Sequence, residues 1–320
     1  MTDQENKVIC KYCGSNAVVK FGSYKGVPLH WCKICKRKFK VSDTTFHMKT
    51  PANQVSSALS MYYEGMSIEA IRRQLQQEYG KRPSSATVYE WIQKYTQYAI
   101  DSAKSYHPKV GDTWVADETV LRIDGQNVWF WDIIDSKTRY LLASRLSTIR
   151  SVNDVQLLME SAAKRAGKIP KEVITDKLRA YLNGIELAYG GDTEHRQGGP
   201  FNIENNSNLI ERFHGTLKAR TKVMRGLKNI ESAIEFTQGW LAHYNYLRPH
   251  DALHGKTPAE VAGIDYPYKN WDALIRNHVP TSKVVIGHAK RGFHLPDTRV
   301  SRTRRVRRHR VSMPRIRTTR

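Results

Sequence analysis

Disulfide capacity is almost absent from this chain. Only four of its 320 residues are cysteine, all within the first 35, too few and too crowded for a disulfide framework. No apolar run approaches the ~18 residues that cross a bilayer. The opening stretch MTDQENKVIC lacks the apolar centre of a signal peptide. These absences argue against a membrane-spanning or disulfide-stapled secreted protein and lead us to expect a cytoplasmic one. Acidic residues are scarce as well: 30 Asp and Glu stand against 52 Lys and Arg, a net charge of +22. That imbalance implies a polyanionic partner, and with no membrane segment the expected one is nucleic acid, which places the protein at the nucleoid.

What cysteine there is has a pattern. Cys10 and Cys13, then Cys32 and Cys35, form two C-x-x-C pairs separated by eighteen residues, a spacing that brings four thiolates to one tetrahedral Zn²⁺. Residues 1–46 therefore read as a zinc ribbon around a β-hairpin. Residues 47–98 read as three helices, with Ser67 and Gly80 bounding the second and Ser84 or Ser85 capping the third. This order suggests a helix-turn-helix domain with Ser85, Thr87 and Tyr89 facing a DNA groove. Residues 99–112 read as a linker. From 266 the chain is an extension, Arg-rich and expected to be disordered from about 288. Residues 288–320 carry eleven Arg, one Lys and one Asp, half the net charge, and Arg304 and Arg305 lie in this arm for the phosphate backbone.

Between these ends, residues 113–265 change texture. Three strand-like runs (113–123, 126–135 and 139–147) precede a helix capped by Ser151, a short buried strand at 171–176, a helix, and a further short strand before Pro200. Two more helices follow. This order is that of an α/β RNase H-like core, a mixed five-stranded sheet flanked by helices. An enzyme that cuts or joins phosphodiesters needs carboxylates that converge on hard divalent cations. Asp117 lies in the first strand, where an unpaired acid is costly, and Asp176 ends the short parallel strand, where ligand crevices form. Glu211 is the acid of a basic helix, Asn206 to Lys222. Asp112, Glu118, Asp124, Asp132, Asp135 and Glu204 are further candidates. Strand alternation sends Glu118 away from Asp117, and Asp135 reads as a turn former. In the basic helix an apolar stripe at Ile210, Phe213 and Leu217 faces the sheet; Glu211, His214, Lys218 and Lys222 are expected on the opposite face.

The segments WVADET, VITD, NSNLIERFHGTLKARTK and YNYLRPHDALHGKTPAEV together resemble the catalytic core of the DDE transposases of insertion sequences, which are related to retroviral integrases. The likeness covers roughly residues 110–265, and thirty-four residues separate Asp176 from Glu211, as is common in that family. It implies Asp117, Asp176 and Glu211 as a triad for Mg²⁺ or Mn²⁺; His214 and Lys218, one and two turns beyond Glu211 on its helix face, are expected as catalytic neighbours by their position. It also implies double-stranded DNA, both element ends and target, as partner, and a homodimer or higher oligomer. The implied activity is a metal-dependent strand transferase. A catalytically inactive DNA-binding regulator and a structure-specific nuclease are the alternatives. The zinc ribbon occurs in only some relatives, and the Arg-rich tail departs from the pattern.

Overall fold

The structure, a computed structural model, describes residues 8–24, 27–40, 49–198, 208–224 and 227–278. The Arg-rich arm with Arg304 and Arg305, and Glu204 before the basic helix, lie outside these residues. Three short strands come first: β1 (Val18–Tyr24), β2 (Val27–Cys32) and β3 (Lys38–Lys40), an antiparallel sheet in that order. Among the described residues, its buried apolar ones are Cys10, Cys32 and Phe39. So small a core cannot offset the ordering of its chain without a staple.

Helices α1 (Ala52–Tyr63), α2 (Ile68–Tyr79) and α3 (Ser85–Ala103) follow. Their ends obey local chemistry. Ser67 accepts from the Ala70 amide and Ser84 from the Thr87 amide, while Gly80 closes α2 in the left-handed conformation. Helix α3 runs on to Ala103, so the first five residues of the expected linker are helical. The cause is burial: Ala99 and Ala103 continue the apolar face of Val88, Ile92 and Tyr95.

The sheet that carries the site contains β4 (Thr113–Ile123), β5 (Gln126–Asp135), β6 (Leu141–Ser147), β7 (Glu172–Thr175) and β8 (Glu194–Gln197), in spatial order β6-β5-β4-β7-β8. Strands β4, β5 and β6 pair antiparallel, while β7 and β8 join in parallel. The sheet is therefore mixed and five-stranded, flanked by helices. Asp124 and Gly125 both have positive φ (49° and 72°), the two-residue turn that suits strand twist. It fixes the register of the longest hairpin, in which Asp117 stands opposite Asp132. Helices α4 (Val152–Ala166) and α5 (Arg179–Tyr189) cover one face of the sheet, where Trp131 meets Tyr181 edge-on. Helix α6 (Asn208–Lys222) covers the other, with Phe213 stacked on Phe130.

Helix α7 (Ile230–Ala242) leads into one wide helical turn, His243–Leu247, and the short α8 (Pro258–Val261) and α9 (Trp271–Arg276) complete the described chain. Within that turn Asn245 uses both ends of its amide, donating to the Leu141 carbonyl and accepting from the Leu141 amide, each at 2.9 Å. It thereby pairs backbone groups at the start of edge strand β6. The Tyr246 hydroxyl meets Tyr140 at 2.6 Å, and Arg165 donates to both. Helices α1–α3 do not form a separate core, because their buried residues are continuous with those of the sheet. Tyr63 is the joint: its hydroxyl meets Thr96 at 2.6 Å, and its ring stacks on His243 and Trp271. The extension expected from 266 thus begins inside the core, as Trp271, Leu274 and Ile275 are buried.

Candidate active site and metal centres

Strand β4 outruns β7. Parallel pairing stops at Val115 with Ile174, and continuing it by two residues sets Asp176 beside Asp117. Beyond that point β4 is paired on its β5 side, so a crevice opens at the end of β7. Asp176 turns its backbone there, its carboxylate accepting from the Leu178 amide at 2.9 Å.

One carboxylate oxygen each from Asp117, Glu118 and Asp176 lie within 4.8 Å of one another. Glu118 is the surprise. Alternation does send it to the α5 face, where Tyr181 donates to it at 3.0 Å and Arg150 at 3.2 Å, but its longer side chain still reaches the group. Glu211, on α6, is exposed and is not a member of this group. The shared charge leaves its mark: burial first, then the neighbouring Asp132 and Glu118, push the Asp117 carboxyl up to about 7. Glu118 is raised by burial and by Asp176. Clustered acids that hold protons this tightly suit a cation that takes the protons' place. Hard oxygen donors at such separations fit Mg²⁺ or Mn²⁺ after a small inward shift, since trans ligands of Mg²⁺ sit only about 4.2 Å apart.

The structure corrects the expected place of His214. It is 5% exposed, not on the outer face. Four residues of helix carry it only about 40° past Ile210, well inside the stripe that meets the sheet. There its Nε2 lies 2.7 Å from Asp132 Oδ2 and its Nδ1 lies 3.5 Å from Asp117 Oδ2. Asp132 is fully buried and burial raises its carboxyl. Burial pulls His214 down, but the charge and hydrogen bond of Asp132 outweigh it and leave the imidazole raised. His214 therefore bridges a sealed carboxylate and a carboxylate of the crevice. Asp132 was legible as a partner of Asp117 from the Asp124–Gly125 hairpin, through which residues whose numbers sum to 249 face each other.

The remaining residues are placed as follows. Lys218 and Lys222 are exposed on α6, and Ser85 and Tyr89 are exposed at the start of α3, with Thr87 half-buried beside Ser84. Asp135 is a turn former as expected, accepting from Thr138 and from the Gly111 amide. In the N-terminal sheet the four cysteine sulfurs converge, with Cys10 and Cys35 3.6 Å apart and Cys13 and Cys32 3.5 Å apart. A tetrahedral Zn²⁺ with Zn–S near 2.3 Å requires sulfurs about 3.8 Å apart, so the donor set fits. Burial pushes the Cys10 thiol up to about 12. Burial also acts upward on Cys32, but the Cys35 and Ile34 amides and the neighbouring thiols outweigh it and bring that thiol down to about 6.

Residues 111–250 match the family model of a DDE domain. Among solved structures, the chain is similar to the integrase catalytic core domain of HTLV-2 in complex with magnesium, at 16% identity and a TM-score of 0.38, covering 49% of this chain and 97% of that one. It is also similar to the catalytic core domain of BIV integrase, at 18% identity and a TM-score of 0.38, covering 48% and 93%. A simian T-cell lymphotropic virus intasome structure in complex with a PP2A regulatory subunit matches at 16% identity and a TM-score of 0.40, covering 56% and 61%. No curated protein sequence matches the chain.

Proposed function

We propose that the chain, whose residues 111–250 match the family model of a DDE domain, is a DNA transposase that cuts at element ends and joins them to target DNA. The observation that carries this reading is the convergence of two acids of the expected triad, Asp117 and Asp176, where β7 ends, with the Glu118 carboxylate beside them. In the reaction, water attacks a phosphodiester at the element end and frees a 3′-hydroxyl. That hydroxyl attacks a target phosphodiester and displaces the target strand's 3′-oxygen, so one P–O bond forms as another breaks and no bond to the protein forms. A divalent cation held by Asp117, Asp176 and Glu211 would activate the attacking oxygen and stabilise the leaving one. The chain's own part is to present those oxygens. Asp117 comes from the middle of β4 and Asp176 from just past the end of the adjacent β7, and Glu211 comes from α6, three residues before His214. Once the site is loaded, His214, backed by Asp132, holds the inner oxygen of Asp117. Lys218 and Lys222 meet the phosphate backbone, Ser85, Thr87 and Tyr89 face a groove as the helix-turn-helix surface, and Cys10, Cys13, Cys32 and Cys35 hold Zn²⁺. Two element ends require at least a homodimer.

The test is strand transfer on element-end duplexes with Mg²⁺ or Mn²⁺. Asp117→Asn, Asp176→Asn and Glu211→Gln are each expected to cost roughly a hundredfold or more, the scale on which single catalytic groups act. Retained activity in all three would refute the assignment, and cleavage without joining would point to a nuclease.

A further inference from the structure

A second cavity, of about 470 Å³, opens on the flank of α6 turned away from His214, between that helix, the end of α1 and α7. Its walls include Arg212, Gly215 and Arg220 of α6, Glu64, Trp240 and Arg248. Among the described residues three cations thus face one acid, and that acid is engaged: Glu64 lies 3.7 Å from Arg248 and 3.8 Å from His243. Arg220 is the telling residue. It is 2% exposed, its guanidinium lies 3.7 Å over the Tyr62 ring, and its Nε and Nη1 are sealed from solvent without a hydrogen-bond partner. No carboxylate among the described residues comes within 4.0 Å of it. The Trp240 Nε1 in the same wall is likewise enclosed without an acceptor. A buried cation left without a counter-charge is expensive, and the stacked ring offsets only part of that cost. Among the described residues, the charged lining of this cavity is three guanidinium groups against one carboxylate that is already engaged, so it favours a ligand that accepts hydrogen bonds and carries negative charge.

We propose that this cavity is an anion site that takes a phosphodiester of the DNA backbone. Its volume lies within the range of small-ligand sites, about 300–1,000 Å³, enough for a phosphate with its flanking sugars. Arg212, in its wall, directly follows Glu211, so a strand seated here runs along the helix that carries the third acid of the proposed site. That DNA is the source of the phosphate rests on the function proposed above; the anion chemistry does not.

Gly215 offers a clean probe, because a Cβ there meets nothing within 4 Å and a helical glycine tolerates a side chain. Gly215→Glu fills the cavity with the wrong charge, Arg212→Gln removes one cation, and Gly191→Glu, at an open position outside the cavity, controls for added charge. Two measurements on the full chain, without added divalent metal, decide the matter. The first is the affinity for a labelled duplex across a KCl series. Gly215→Glu and Arg212→Gln should each weaken binding about tenfold and reduce the slope of log K against log salt by about 1, the value of one lost phosphate contact. Gly191→Glu should leave the slope alone. The second is thermal unfolding with inorganic phosphate at constant ionic strength, which should raise the midpoint of the wild type and of Gly191→Glu but not of Gly215→Glu. Unchanged slopes in both cavity variants, with wild-type circular dichroism, would overturn the DNA assignment even if phosphate still protects. Equal phosphate protection of all forms would overturn the site itself. Neither readout needs catalysis, so loss of strand transfer chemistry would leave this result standing, and the reverse also holds.

Discussion

His214 shows how much one residue's surroundings decide. Its sequence neighbours are basic and the segment reads as a surface meeting an anion, yet the helix turns it inward onto Asp132 and Asp117. Counting helical angle from the apolar stripe finds this; counting charge does not. Glu118 escaped for a different reason, since alternation gives the direction of a Cβ and not the reach of a long side chain past the end of a neighbouring strand. At Asp117 the consequence can be measured. The folded chain holds the Asp117 proton up to about pH 7, against an ordinary value of 3.8. Between those values the folded state binds more protons than the unfolded, so this group's contribution to stability falls as pH rises through the window and stays low above it. In protein free of divalent metal, Asp117→Asn should therefore unfold at a higher temperature than wild type at pH 8, by at least about 1–2 °C, the shift that roughly 1 kcal/mol makes in a chain of this size. Near pH 4 the gap should close. Calorimetric midpoints that differ by the same amount at both pH values would show that the carboxyl is not held this way.

At the scale of elements, local chemistry made much of the sheet legible. Alternating strands, the Asp124–Gly125 turn, the Ser151 cap accepting from the Asp154 amide and the β-branched Val173, Ile174 and Thr175 each specify their own conformation. What short-range signals do not carry is which helices share a core. Nothing near residues 47–98 indicates that Tyr63 will stack against Trp271, more than two hundred residues later. One trace of that contact is Gly239, where α7 crosses α3 so closely that a Cβ would sit 2.3 Å from Thr96 Cγ2 and 2.7 Å from the Tyr63 hydroxyl. A glycine within a helix is otherwise a cost. Gly239→Ala should accordingly destabilise the protein by about 1–3 kcal/mol despite its better helix propensity. Chemical denaturation would read this as a lower midpoint with unchanged slope, and an equal or higher midpoint would mean that the helices can part at little cost.

At the scale of the whole molecule, charge dominates. A chain of +22 should bind duplex DNA with an affinity that falls steeply with salt, as condensed counterions are released. Half of that charge lies in residues 288–320. Removing them should flatten the plot of log K against log salt measured by fluorescence anisotropy, and an unaltered slope would show that the arm does not touch the duplex. Cavity and arm are separable by this measurement, because the first should change the slope by single contacts and the second by several.

The Tyr63 joint reaches further than stability. Its ring sits against His243 and Trp271 while its hydroxyl meets Thr96 on α3, so α3 and the carboxylate-bearing sheet are parts of one packed body with no swivel between them. On the proposed function, a DNA contact made by α3 would then stand at a set distance from the Asp117 and Asp176 carboxylates. The molecule would measure base pairs with its own core, as a gauge block does, instead of searching for the cut on a tether.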